Sequence, residues 1–300
     1  MGRSAPPLRR SPVAPDSATG SGPTARRLVL GSQLRRLREA KGVSREDAGY
    51  AIRGSGSKIS RLELGRVGFK ERDVEDLLTL YGVTDDDERE SFLDLVRRSN
   101  EPGWWNRYND LIAPWFQDFV GLEESASRIQ TFELQFVPGL LQTERYARAI
   151  ASQGRPEFPD EEIDRRVRLR MQRQKLFVRP KAPRVWAVLD ESVLHRPIGG
   201  RAVMREQLES LLEATQLPNV SLQVLPFSLG HSSAEGAYTI LRFAEPEISD
   251  IVYLEHLCGA LYLDKPEDIE VYSKVSHRLA VDALTPEDTR KLLRKHLADH

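Results

Sequence analysis

The chain has 300 residues, 30% of them charged, and a formal net charge of −1; that length suits two domains with a sizeable core, and that balance excludes a uniformly basic nucleic-acid binder. The charge is not evenly spread: residues 1–82 carry 16 Lys and Arg against 9 Asp and Glu, a net of +7, and the remainder carries 28 against 36, a net of −8. A single cysteine, Cys258, excludes an intrachain disulfide and points to a cytoplasmic setting, while the lack of CxxC, CxxH or HExxH spacing, of an apolar run of about 18 residues and of an apolar signal core argues against a metal site, a membrane span and a secretory leader.

Residues 1–24 are rich in Pro, Ser, Gly and Ala and are expected to be a disordered tail, with Arg26 and Arg27 at its border as a solvated or phosphate-touching arm. A first helix is predicted over 30–41, with Leu34 and Leu37 on one face, Arg35, Arg36 and Arg38 beside them, and Gly42 as its stop. Ser44 caps a second helix, with Asp47 three residues on, close to a capping box. Ala48 and Gly49 are small where two hairpin helices must approach, and 53–56 is the turn. Ser55 caps a third helix over 57–64, and Gly65 fits a left-handed C-cap. Ile59 and Leu62 share a face and anchor this helix, leaving Ser57, Lys58, Ser60 and Arg61 along a polar, basic side suited to a DNA major groove. Glu63 is expected to pair with an arginine of the first helix, such as Arg38. Amphipathic helices over 72–81 and 86–99 follow, the latter acidic at its start and basic at its end.

The run LRRLREAKGVSREDAGYAI…SKISRLELGR resembles the lambda-repressor-like, Xre-type helix-turn-helix regulators over roughly residues 28–83. It departs from their pattern in the turn, where Arg53 and Gly54 replace glycine and an apolar residue, and at Arg45, where glutamine is usual. The resemblance implies double-stranded DNA as partner and two copies acting together, hence a homodimer on a two-fold site. DNA-binding candidates are Arg35, Ser44 and Arg45 on phosphates, Ser55 at the cap, Ser57, Lys58 and Arg61 towards bases, and Ser60 on the same polar side.

Six aromatics, Trp104, Trp105, Tyr108, Trp115, Phe116 and Phe119, fall within 16 residues. They pack a domain junction or, with Trp104, Trp105 and Trp115 foremost, offer a partner or ligand surface. From about 125 the pattern becomes mixed: a strand over 128–136, a turn at 137–143, helices at 144–152 and 160–177, a strand at 184–189, a helix at 204–215, strands at 220–225, 237–243, 251–254 and 260–263, and helices at 267–283 and 286–298. The charged helix at 160–177 reads as a solvated amphipathic helix, and the last three strands leave no room for crossovers and must pair antiparallel. The expected organisation is therefore a tail (1–24), an all-α helix-turn-helix domain (25–85), a helical, aromatic connector (86–124) and an α+β domain with a mainly antiparallel sheet (125–300).

The segments Val137 to Thr143 (VPGLLQT) with Tyr146 to Ala149, and VLDES, QVLPF and VYLE further on, resemble a group of actinobacterial regulators whose C-terminal domain is uncharacterised. That resemblance implies a small acidic protein encoded nearby as partner and a role in differentiation or antibiotic production. His195, His231, Glu191, Glu235, Ser232, Ser233 and Glu255 supply the material for the rival reading, an effector enzyme or toxin-like protein such as an ADP-ribosyltransferase-like one. No spacing fixes a triad, a phosphate-cradling loop or a metal site. The expectation is a transcriptional regulator with a sensing second domain and without enzyme activity, cofactor, metal or membrane.

Overall fold

The structure, a computed structural model, describes residues 23–154, 157–230 and 236–299. It separates between Glu101 and Pro102 into two units. The first consists of five helices: α1 (Pro23–Lys41), α2 (Arg45–Ala51), α3 (Gly56–Glu63), α4 (Glu71–Tyr81) and α5 (Asp86–Ser99). Several of their ends follow from capping residues in the sequence. Ser44, Ser55 and Asp85 accept the exposed N–H groups of α2, α3 and α5, and the left-handed Gly82 closes α4. Leu30, Leu34, Ile59, Leu77, Leu78 and Val96 form the buried centre.

Two expectations fail here. Helix α1 starts at Pro23, not at residue 30, because its apolar stripe continues back through Ala25, which is fully buried. Arg26 is therefore no flexible arm. Its Nη1 donates to Arg98 O at 3.3 Å and pairs with Glu101 at 3.2 Å. The tail proper, residues 1–22, lies outside the described residues. The second failure is the connector: α5 belongs to the first unit, and the aromatic stretch belongs to the second.

The second unit is α+β. Helix α6 (Pro114–Ser125) leads into a six-stranded mixed sheet of order β3-β2-β1-β4-β5-β6. The strands are β1 (Arg128–Glu133), β2 (Arg184–Asp190), β3 (Val220–Leu225), β4 (Tyr238–Arg242), β5 (Ile251–His256) and β6 (Gly259–Leu263). β1, β2 and β3 pair parallel; β4, β5 and β6 continue from β1 antiparallel, so the antiparallel pairings are the majority. The parallel half follows from long crossovers: α7 (Glu144–Gly154) and α8 (Asp160–Arg173) lie between β1 and β2, and α9 (Ser192–His195) and α10 (Arg201–Ala214) between β2 and β3. Helices α11 (Pro266–Asp282) and α12 (Pro286–Asp299) close the chain.

Alternation along the strands divides the core in two. Phe132, Val188, Ile240 and Val252 face α11 and its Leu279. Ala187, Leu189, Leu222 and Val224 face the other way, against Met204 and Leu208 of α10 and Leu293 of α12. On that same second side, over β1, β4 and β5, the sheet does not meet a filled core but borders a cavity.

Candidate functional site

In the first unit the α2–α3 hairpin is built for close approach. A Cβ on Gly49 would sit 2.6 Å from Ser55 C, and one on Gly31 would sit 2.5 Å from Leu62 O. Only glycine lets α1, α2 and the far end of α3 come this near. The turn takes a left-handed residue at Arg53, φ +53°, and not at Gly54. Where the resembled family uses glycine, this chain therefore carries a strained arginine, and the hairpin keeps its turn.

The anchor of α3 is as expected: Ile59 and Leu62 are buried, and Glu63 pairs with Arg38. Among the expected DNA-binding residues, Arg35, Ser44, Ser55, Ser57 and Arg61 are exposed, and Arg45, Lys58 and Ser60 are half-buried. Several already have work within the fold. Arg35 pairs with Glu39 at 2.8 Å and Arg45 Nε reaches Glu63 at 3.3 Å. Ser44 and Ser55 spend their hydroxyls on caps, Ser44 also donating to Asp47. Lys58 Nζ lies 2.6 Å from Asp73, a carboxylate that the sequence reading left unassigned, and is tied to α4. Ser57 and Arg61 remain outward on the face opposite Ile59. Sequence reasoning missed Tyr50, 87% exposed on α2; its neighbours gave no period that set it apart.

The second unit places the aromatic stretch inside its own structure. Trp104–Tyr108 form a short 3-10 helix. Trp105, with Tyr108, Leu111, Ile112 and Val120, forms a small core, so Trp105 is no surface residue. Trp104 is half-buried and its indole donates to Glu124 at 3.2 Å. Trp115 is half-buried too, and its carbonyl accepts from Tyr262. Trp115, Phe116 and Phe119 line the cavity over the sheet.

That cavity measures about 910 Å³, a size typical of small-molecule sites. Its floor is one face of the sheet: Ile129, Thr131 and Glu133 of β1, Thr239 of β4, and Tyr253 and Glu255 around the β5 end. Phe119 stacks on Tyr253 at 4.1 Å. The segment 137–142 forms a wall. It is fastened from three helices: Tyr146 of α7 accepts from Val137 N, Arg170 of α8 donates to Gln142 Oε1 at 2.6 Å, and Gln207 of α10 donates to Leu141 O at 2.7 Å. The sequence read this segment as a turn into a helix; its role as a wall depends on contacts remote in sequence.

The basic end of α8 is only partly solvated, contrary to expectation: Arg168 is exposed, but Arg170 and Arg173 turn towards the cavity. Arg173 is buried and bridges both oxygens of Glu123 at 2.7 Å each, with its guanidinium 5.4 Å from the Phe119 ring centre. Glu133 has neither a hydrogen bond nor an ion pair among the described residues. Burial, and then the nearby charge of Glu255, push its carboxyl up to about 8. Burial and the neighbouring Arg173 pull Arg170 down to about 10. Desolvation also raises the Tyr253 hydroxyl, which donates to Glu255 at 2.9 Å.

Of the residues offered for enzyme chemistry, Glu255 lines this cavity, while His231, Ser232, Ser233 and Glu235 lie outside the described residues. Glu191 and His195 meet His296 of α12, and the three bring one donor atom each to within 4.8 Å of one another. Among the described residues they are the grouping of the second unit that could hold a metal, hidden in sequence because His296 is remote from the other two. No helix among the described residues is long and apolar enough to cross a membrane.

No curated protein and no solved structure matches the chain. Residues 29–92, in the first unit, match a helix-turn-helix domain. Residues 116–295, more than half of the chain, match a domain of unknown function, DUF5753, and the protein belongs to that family.

Proposed function

We propose that the protein is a sequence-specific, DNA-binding transcriptional regulator of the Xre type, acting as a homodimer in the cytoplasm, with a second unit that senses a ligand or a small acidic protein instead of catalysing a reaction. The observation that carries this reading is α3: an apolar back fixed by Ile59 and Leu62 and a front that leaves Ser57 and Arg61 outward, within a matched helix-turn-helix domain. A helix so held fits the major groove, and an arginine there reads guanine edges. Arg35, Arg45 and the capped starts of α2 and α3 would meet phosphates, with Ser60 beside the base-reading face and Lys58 positioning α3 through Asp73. The actinobacterial resemblance of residues 137–149 supports the regulator reading and the acidic partner.

The cavity supports sensing. Its walls come from the segment 137–142 and from Glu255, which belong to the stretches that carry the resemblance, and its aromatic and charged lining suits recognition of a small molecule. Binding of the full chain to a library of random duplexes, followed by sequencing, tests the proposal. Enrichment of a common motif is expected; recovery of the input distribution would refute it.

A further inference from the structure

The cavity of the second unit is lined by an acid and a base, Glu133 and Arg170, both half-buried and short of hydrogen-bond partners. Glu133 ends β1, the strand at which the order reverses: the chain builds β2 and β3 on one side of it and returns to lay β4 on the other. Ligands of open sheets with parallel strands collect at the carboxyl ends of strands beside such a reversal. Glu133 points to the same face as Ile129 and Thr131, into the cavity, and makes no hydrogen bond and no ion pair among the described residues. Arg170 lines the same cavity with one hydrogen bond, to Gln142, for a guanidinium with five N–H donors. The two do not pair with each other.

Neighbouring charges act on them only at a distance: Arg170 attracts Glu133, and Glu255 and Glu123 favour the charged Arg170, but among the described residues none bonds to either. Arg173 is consumed by Glu123 through two bonds, and Arg166 by Glu162 at 2.8 Å. Glu255 accepts from Tyr253 and adds a second negative charge near Glu133. Each group gains from hydrogen bonds that the described residues do not make to it, so a ligand that partners both ends gains more than one that partners either. The aromatic wall of Phe116 and Phe119 calls for an apolar body between the two ends.

We propose that this cavity binds a small zwitterion with an apolar body, a free hydrophobic amino acid or a short peptide of such residues, its ammonium on Glu133 and its carboxylate on Arg170. This rests on the reading of the second unit as the sensing half of the protein, and it narrows that reading to one chemical class. The ammonium gives Glu133 the hydrogen bonds that none of the described residues makes to it. The proton that the empty site keeps on Glu133 near neutral pH is released when the ammonium arrives, so the affinity rises with pH towards about 8.

Calorimetry on the full chain, without DNA, tests this with three matched probes: L-phenylalanine, phenethylamine, which lacks the carboxylate, and 3-phenylpropionate, which lacks the ammonium. L-leucine and the dipeptide L-leucyl-L-phenylalanine extend the zwitterion series. At least one zwitterion should bind saturably, and each half-analogue should bind at least about tenfold more weakly than L-phenylalanine or fail to bind. Glu133→Gln, which keeps the shape of the side chain, should weaken the zwitterions at least about tenfold and leave 3-phenylpropionate unchanged; Arg170→Gln should do the converse, sparing phenethylamine. A half-analogue that equals L-phenylalanine on the unaltered protein overturns the proposal, and so does the absence of saturable binding by all three zwitterions up to roughly 10 mM, near the weak end of specific affinity. DNA binding is measured separately on the same samples. Loss of DNA binding with zwitterion binding intact would refute the regulator reading and leave this site standing.

Discussion

Arg38 of the first helix holds both carboxylate oxygens of Glu63 at the end of α3, its Nη2 at 3.1 Å from Oε2, and its Nη1 donates to Val43 O at 3.0 Å. Both side chains are buried. The hydrogen bond to Glu63 also raises the pKa of the guanidinium. One bidentate pair thus fixes the start of the α1–α2 corner and the angle at which α3 leaves the core. A buried pair of this kind contributes geometry more than net stability, because desolvation offsets much of its attraction. Arg38→Met should therefore cost up to about 3–5 kcal/mol by leaving Glu63 with only the half-buried Arg45, at 3.3 Å, while the double change Arg38→Met with Glu63→Leu should recover most of that loss. Urea denaturation of the three variants checks this; a double variant no more stable than the single one would show that the pair itself stabilises the unit.

The turn between α2 and α3 makes a second test. Arg53 occupies a left-handed conformation that costs an ordinary residue about 1–2 kcal/mol. Its pairing with Asp76, at 3.4 Å and largely exposed, returns little. Arg53→Gly should raise stability by about 0.5–1 kcal/mol after the added freedom of the unfolded chain is counted, and Arg53→Val should lower it. Thermal unfolding reads both. A loss on Arg53→Gly would mean that the arginine makes a contact worth more than its strain.

Glu133 makes the stability of the second unit depend on pH. In the unfolded chain the group titrates near 4.3; in the folded one it is held up to about 8. Below the lower value both forms are protonated and nothing is lost. Between the two, the unfolded chain ionises first, so stability falls as pH rises, and it levels off above about 8. Glu133→Gln abolishes this. Its melting temperature should match the unaltered protein near pH 4.5 and exceed it increasingly up to about pH 8. A constant difference across that range would contradict the raised pKa.

The aromatic stretch gives a contrast within one segment. Trp105 is 4% exposed in a closed cluster. Trp105→Ala should destabilise the second unit by about 3–5 kcal/mol. Trp115→Ala removes a half-buried ring and should cost clearly less. Equal losses, read by the unfolding of the second unit, would place Trp115 in the core as well.

These sites differ in how far the sequence reveals them. The first unit was legible nearly to the residue, because its caps, its glycines and the Ile59–Leu62 spacing act within a few positions of one another. Even the pair of Arg38 with Glu63 could be foreseen, since an acid that ends one helix needs a cation from the helix behind it. The extension of α1 to Pro23 could not, because a Pro- and Gly-rich flank hides the stripe that Ala25 continues. The second unit gave up its elements but not its cavity. Arg170 and Arg173 sit in a charged run that reads as solvated, and only the fold shows that Glu123 and Gln142 wait for them. The parallel half of the sheet was missed for a related reason: short apolar runs do not state which neighbour they take, and the order of strands is set by the packing of α7, α8 and α10.

Binding to DNA should weaken steeply with salt, because arginines at phosphates release counterions. Arg45→Ala should lower the slope of log affinity against log salt by about 1 and leave the preferred sequence alone. A flat salt response of the unaltered protein would remove phosphate contact from the account.

The most direct measurement is selection of random double-stranded DNA by the full chain and by Arg61→Ala in parallel. The account predicts that the unaltered protein enriches a two-fold symmetric motif whose half-sites lie about one helical turn, roughly 34–36 Å, or a multiple of it apart. Arg61→Ala should relax one position in each half-site, a loss of discrimination of about 1–3 kcal/mol, and keep the rest. Failure of the unaltered protein to enrich any motif, or an unchanged motif for Arg61→Ala, would contradict the claim that the outer face of α3 reads DNA.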